Sequence, residues 1–122
     1  MEKKLVPPDF IITVTATPSL NKMKSRWSLS NWKNKYRREL KGYEAFKLKK
    51  NKKAIIEVKR YGSRMYDYDN FAGGAKSLID LLKEKGLIVD DSPKWLDISF
   101  SQVKTKRGLE KTVLMISYKE VK

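Results

Sequence analysis

The sequence predicts an α+β fold in a single domain, and three observations carry that prediction. Four stretches are rich in β-branched and alternating apolar residues, two longer stretches repeat apolar residues at helical spacing, and the two kinds follow the order β-α-β-α-β-β. At 122 residues the chain is long enough to bury one core and too short for two ordinary domains. Residues 10–16, Phe-Ile-Ile-Thr-Val-Thr-Ala, read as a first strand between Pro7-Pro8 and Thr17-Pro18-Ser19. A loop carrying Asn21, Lys22, Lys24 and Arg26 leads to a helix capped by Ser28 or Ser30 and running to about Phe46. Leu29, Trp32, Tyr36, Leu40 and Tyr43 make its apolar face, whose simplest role is core packing. Residues 54–61 read as a second strand, ended by Gly62. Residues 71–85 read as a second helix, with Phe71, Ala75, Leu78, Ile79 and Leu82 as its stripe and Gly86 just past its end. Residues 95–103 and 111–118 read as two strands, joined by the basic turn Lys104-Thr105-Lys106-Arg107-Gly108 as an antiparallel hairpin.

Composition narrows the chemistry. The chain has no cysteine and no histidine, which excludes disulfides, thiolate or imidazole metal sites, and Cys or Ser-His nucleophiles. Acid–base and metal-binding work would fall to Asp, Glu, Lys, Tyr or water. The absence of cysteine fits a reducing cytoplasm. No apolar run approaches the ~20 residues of a membrane span, so no membrane partner is expected.

The charge is large and uneven. With 28 Lys plus Arg against 14 Asp plus Glu the net charge is +14, which favours a polyanionic partner. Residues 22–53 hold 13 basic and two acidic residues, or +11. Lys22, Lys24, Arg26, Lys33, Arg37, Arg38 and Lys41 belong to that stretch, and with Lys104, Lys106 and Arg107 they are the candidate DNA contacts. The alternative is a solvated basic face. Residues 67–91 hold six acids and three lysines, or −3.

That acidic stretch carries the candidate chemistry. Asp67 and Asp69 would share one face of an extended chain, and two adjacent carboxylates repel each other unless a cation joins them. Mg²⁺ or Mn²⁺ suits an all-oxygen donor set. After the second helix, Asp90 or Asp91 could complete a three-carboxylate site able to activate water against a phosphodiester. Each piece also has a purely structural reading. An Asp-x-Asp occurs often in turns, Asp90-Asp91-Ser92-Pro93 could be a turn, Asn70 could cap the helix, and Lys76 could pair with Asp80.

In order and spacing, Asp67-Tyr68-Asp69-Asn70, Lys76, Asp80-Leu81-Leu82, Gly86-Leu87-Ile88 and Asp90-Asp91-Ser92 resemble the RusA family of Holliday-junction resolvases, common in phages and prophages. The match covers about residues 64–98, with weaker similarity at Pro18-Ser19-Leu20-Asn21. The resemblance implies a small homodimeric endodeoxyribonuclease of the bacterial cytoplasm. It would depend on Mg²⁺ or Mn²⁺ and cut branched DNA, four-way junctions above all, in recombination and repair. It implies Asp67, Asp69 and Asp91 as metal ligands and catalytic residues, and Lys76 as a further catalytic residue. Gly73-Gly74 departs from the pattern, because the family's best-known members place that lysine three residues after the Asn rather than six. The alternative is a non-catalytic DNA- or RNA-binding module that keeps the nuclease fold.

Overall fold

A computed structural model of the chain describes residues 10–19, 26–43 and 52–120. Its elements are β1 (Phe10–Val14), α1 (Arg26–Glu39), β2 (Lys52–Gly62), α2 (Tyr68–Glu84), β3 (Leu96–Lys104) and β4 (Lys111–Glu120). The α+β class and the order of elements agree with the sequence.

The four strands form one mixed sheet in the order β1-β4-β2-β3. β2 pairs parallel with β3 and antiparallel with β4, and β1 pairs antiparallel with β4. The expected β3–β4 hairpin does not form, because β2 lies between these strands. Alternation reveals a strand but not its neighbour. α2 returns the chain to the start of β2, where β3 can pair only in parallel. The Thr105–Glu110 loop then crosses the end of β2, with Thr105 N–H donating to the Gly62 carbonyl at 2.9 Å.

Both helices cover one face of the sheet. Strand residues of one parity point into the core: Ile12 and Val14 of β1, Ala54, Ile56 and Val58 of β2, Leu96 of β3, and Leu114 and Ile116 of β4. They meet Tyr36 and Leu40 from α1, and Phe71, Leu78, Ile79, Leu81 and Leu82 from α2. The predicted α2 stripe is therefore the buried one. Of the apolar face predicted for α1, Tyr36 and Leu40 are fully buried, Trp32 and Tyr43 pack on the rim, and Leu29 is exposed. The opposite face of the sheet exposes Ile11 and Ile55.

The helix ends correct several expectations. α1 begins at Arg26, so Ser28 and Ser30 lie inside it rather than capping it. It stops at Glu39 rather than near Phe46, and the chain turns through Gly42 at φ 96°. Residues 44–51 lie outside the described residues. α2 begins at Tyr68 because Asp67 caps it. At its far end Lys85 is the cap residue and Gly86 takes a positive φ of 78°. Gly86 N–H donates to Lys83 O at 3.1 Å and Leu87 N–H to Leu82 O at 2.9 Å, the paired bonds of a Schellman ending. Leu87 and Leu82 are both buried in the same cluster, which seals that end of α2 against the core.

Gly74, the second residue of the Gly73-Gly74 pair, has a packing role. A Cβ at Gly74 would lie 1.7 Å from the Pro18 carbonyl oxygen, so the β1–α1 loop crosses α2 in direct backbone contact. Gly74→Ala sets about 1 kcal/mol of gained helix propensity against a clash with backbone atoms. The clash wins, because a carbonyl cannot swing aside as a side-chain tip can. A net destabilisation of at least about 1 kcal/mol is expected, read as a lower urea midpoint.

Candidate nucleic-acid and metal site

Four inward rows run through β2, at Ala54, Ile56, Val58 and Arg60, and the last, at its C-terminal end, is largely polar. Val14, Thr112, Arg60 and Gln102 stand side by side in register on β1, β4, β2 and β3. Each polar member ties down a loop. The Thr112 hydroxyl accepts from Thr17 N–H at 2.9 Å. Arg60 donates from Nε to the Thr17 carbonyl at 2.8 Å and from Nη1 to the Arg64 carbonyl at 2.9 Å. Its guanidinium lies 4.0 Å from the centre of the Tyr66 ring. Gln102 accepts from Tyr66 N–H at 2.9 Å and donates to the Tyr66 carbonyl at 2.8 Å. Loops 15–19 and 63–67 are thereby held on one framework, and the second runs straight into Asp67.

Asp67 is the N-cap of α2. Its Oδ1 accepts from Asn70 N–H at 2.9 Å and its Oδ2 from Asn70 Nδ2 at 3.0 Å. Asn70 is thus the partner of the cap and not the cap itself. Asp67 and Asp69 do not sit on a strand face as expected. They flank the first turn of a helix, where amide dipoles favour negative charge. Both are exposed, and carboxylate oxygens keep lone pairs beyond one hydrogen bond each. Lys76 is exposed on α2, seven residues after Asp69 and so on the same side of the helix. Its expected partner Asp80 instead meets Lys33 at 3.7 Å.

Asp91 lies elsewhere. Its neighbour Asp90 pairs with Lys83 Nζ at 2.8 Å, in the last turn of α2. The 16 residues from Asp67 to Lys83 span about 24 Å of helix. Asp67 and Asp69 therefore occupy one end of α2, and Asp90 and Asp91 the other. Among the described residues no three Asp or Glu side chains converge to hold an ion. The donors are right for Mg²⁺, a hard cation that often takes one or two carboxylates and keeps its waters. At this end of α2, Asp67 and Asp69 are two exposed carboxylates two residues apart.

The basic residues divide between the same two ends. Lys104, Lys106 and Arg107 are exposed beside the Asp67 end, where Arg107 shares a cavity with Arg64. On α1, Arg37 binds Glu84 with Nε at 2.9 Å, an exposed pair that holds the Glu84 carboxyl below its usual range. Arg37, Arg38, Lys41, Asn34 and Lys85 line an open cavity of about 340 Å³ toward the other end of α2. Arg26 opens α1, and Lys22 and Lys24 lie outside the described residues.

Sequence reasoning passed over Arg60, Thr112, Gln102 and Glu39. Glu39 Oε1 accepts from Thr15 N–H and from the Thr15 hydroxyl, and so anchors the β1–α1 loop to α1. Arg60 did carry a signal, since a charged residue at the inward parity of Ile56 and Val58 must be satisfied from within.

No family model matches the sequence, and no curated protein matches it either. Among the described residues no helix is long and apolar enough to cross a membrane.

Two predictions test this geometry. The hydrogen bond from Lys83 pulls the Asp90 carboxyl down to about 2. That lies below the ordinary value of about 3.9, so the pair stabilises the fold above about pH 4 and stops doing so as pH falls through about 2. Carboxyl ¹³C NMR should show Asp90 titrating near the lower value, and Lys83→Ala should raise it. At the other end, Asp67→Ala should cost about 1 kcal/mol in denaturant unfolding, while Asp67→Asn, which still caps, stays within a few tenths.

Proposed function

We propose that this chain is a metal-dependent, structure-selective endodeoxyribonuclease acting on branched DNA, with four-way junctions as its preferred substrate. The observation that carries this reading is one arrangement. Two exposed carboxylates, Asp67 and Asp69, stand on the first turn of α2 beside the cations Arg64, Lys104, Lys106 and Arg107, in a protein of net charge +14. The motif order shared with the RusA resolvases supports the same reading.

In this proposal Asp67 and Asp69 hold the divalent ion, Mg²⁺ or Mn²⁺. A bound ion supplies an activated water and offsets charge on the phosphate. Lys76, further along the same side of α2, contacts the phosphate. Lys33, Arg37 and Arg38 on α1, Lys41 in the turn just past it, and the Lys104–Arg107 loop hold flanking phosphates without reading sequence. Asp91 joins the site from a second copy of the chain, because in its own chain it follows Asp90, which pairs with Lys83 at the far end of α2 from Asp67. A two-fold dimer places two such sites on the paired strands of a junction. Recombination and repair in a bacterial cytoplasm, with a phage or prophage origin, is the setting the resemblance supports.

A second reading has its own observation. Asp67 is fully accounted for as a helix cap, as a non-catalytic nucleic-acid-binding module would require.

Cleavage of a synthetic four-way junction with Mg²⁺ separates the two readings. Discrete nicks that Asp69→Asn abolishes support the nuclease, whereas tight binding with no cutting under Mg²⁺ or Mn²⁺ supports the module. Mixing inactive Asp69→Asn with inactive Asp91→Asn tests the shared site. A heterodimer with composite sites keeps one intact site, so cutting should return in part. Sites built within single chains would stay dead in every combination.

A further inference from the structure

Arg60 is only 4% exposed, yet among the described residues it has no carboxylate within salt-bridge distance. Its Nε and Nη1 donate to two neutral carbonyls, those of Thr17 and Arg64. A buried cation in that state calls for an anion. Its side chain lines a cavity of about 240 Å³ together with Ser63, Arg64, Tyr66, Arg107 and Glu110. Three guanidinium groups line it with one carboxylate, so the lining is net positive. That carboxylate is already engaged, since Glu110 Oε2 accepts from Ser63 N–H and from the Ser63 hydroxyl, each at 3.1 Å. These bonds, with Arg60 and Arg107 nearby, hold the Glu110 carboxyl below its usual range.

We infer that this cavity is a phosphate subsite, in which Arg60, Arg64, Arg107 and the Ser63 N–H and hydroxyl hold one backbone phosphodiester of DNA. Glu110 occupies the Ser63 donors when no phosphate is present and yields them when one binds. Arginine suits the task because its planar fork presents paired donors to a phosphate. Four of its lining residues, Arg60, Ser63, Arg64 and Tyr66, lie just before Asp67 in the chain, and glycine at 62 leaves room for the Arg60 guanidinium. A Cβ at Gly62 would lie 2.0 Å from Arg60 Nη1. The choice of DNA as the source of the phosphate rests on the function proposed above. The anion site itself does not, and nothing in it requires metal or cleavage.

Two measurements on the full-length protein test the inference. The first is a ¹H–¹⁵N NMR titration with inorganic phosphate. The Ser63 amide and Arg60 Nε signals should shift saturably in the wild type. The apparent Kd should rise about tenfold or more in Arg64→Ala and Arg107→Ala, whose side chains are exposed and whose loss leaves the core alone. Glu110→Gln should tighten binding, because it removes the competing charge. Signals that ignore phosphate would overturn the site, as would a Glu110→Gln variant that binds more weakly. The second is duplex DNA binding against salt in EDTA. Arg64→Ala and Arg107→Ala should each lower the slope of log K against log salt by about 1. Unchanged slopes beside a positive phosphate titration would remove DNA as the ligand and leave a site for free phosphate. If junction cutting fails while both titrations succeed, the nuclease reading falls and this subsite stands.

Discussion

The buried guanidinium of Arg60 is the contact on which the Asp67 end of the molecule depends. It sits in the middle strand of the sheet, where a core residue would normally be apolar. From there it holds Thr17 in one loop and Arg64 in another, and it packs on Tyr66. Thr112 and Gln102 on the flanking strands extend the same polar row to Thr17 and Tyr66. Burying a charge this deeply is costly unless its hydrogen bonds are met. The two loops meet part of that need through their carbonyls, and in doing so they lose their freedom. Asp67 follows the second loop directly, so the position of the α2 cap is inherited from the sheet.

α2 divides the molecule into two ends with different electrostatics. At its N-terminus, two exposed carboxylates sit beside Arg64, Lys104, Lys106 and Arg107. Toward its C-terminus, Asp80, Glu84 and Asp90 are answered by Lys33, Arg37 and Lys83. These pairs are exposed and individually weak, and they matter here as evidence of place. They fix Asp90, and Asp91 with it, about a helix length from Asp67. A three-carboxylate centre is thus a property of two chains or of none, and the proposed function inherits that condition.

Much of the local structure was legible in the residues. The α2 stripe, the strand alternation and Gly86 as the helix terminator are patterns of a few residues, governed by backbone geometry that any short segment feels. The readings that failed depended on partners distant in sequence. Ser28 and Ser30 resembled caps, yet α1 starts before them. Asp67 and Asp69 resembled a pair on a strand face, but a helix start changes the direction in which each points. The departure at Gly73-Gly74 resembled a disturbance of the motif. At Gly74 it is instead the gap through which the Pro18 backbone crosses α2.

By itself the sequence determined the class of fold, the faces that go inward, the excess of positive charge and the residues able to bind a hard cation. Periodicity and composition suffice for these, because each depends on the residue and its near neighbours. Only the tertiary structure decided that β2 lies between β3 and β4, that Arg60 is buried with no carboxylate paired to it among the described residues, and that Asp91 stands at the far end of α2 from Asp67. These are relations between residues many positions apart. They follow from how the α2 crossover returns to the sheet and from which loops the polar row can satisfy, and no local pattern carries that information.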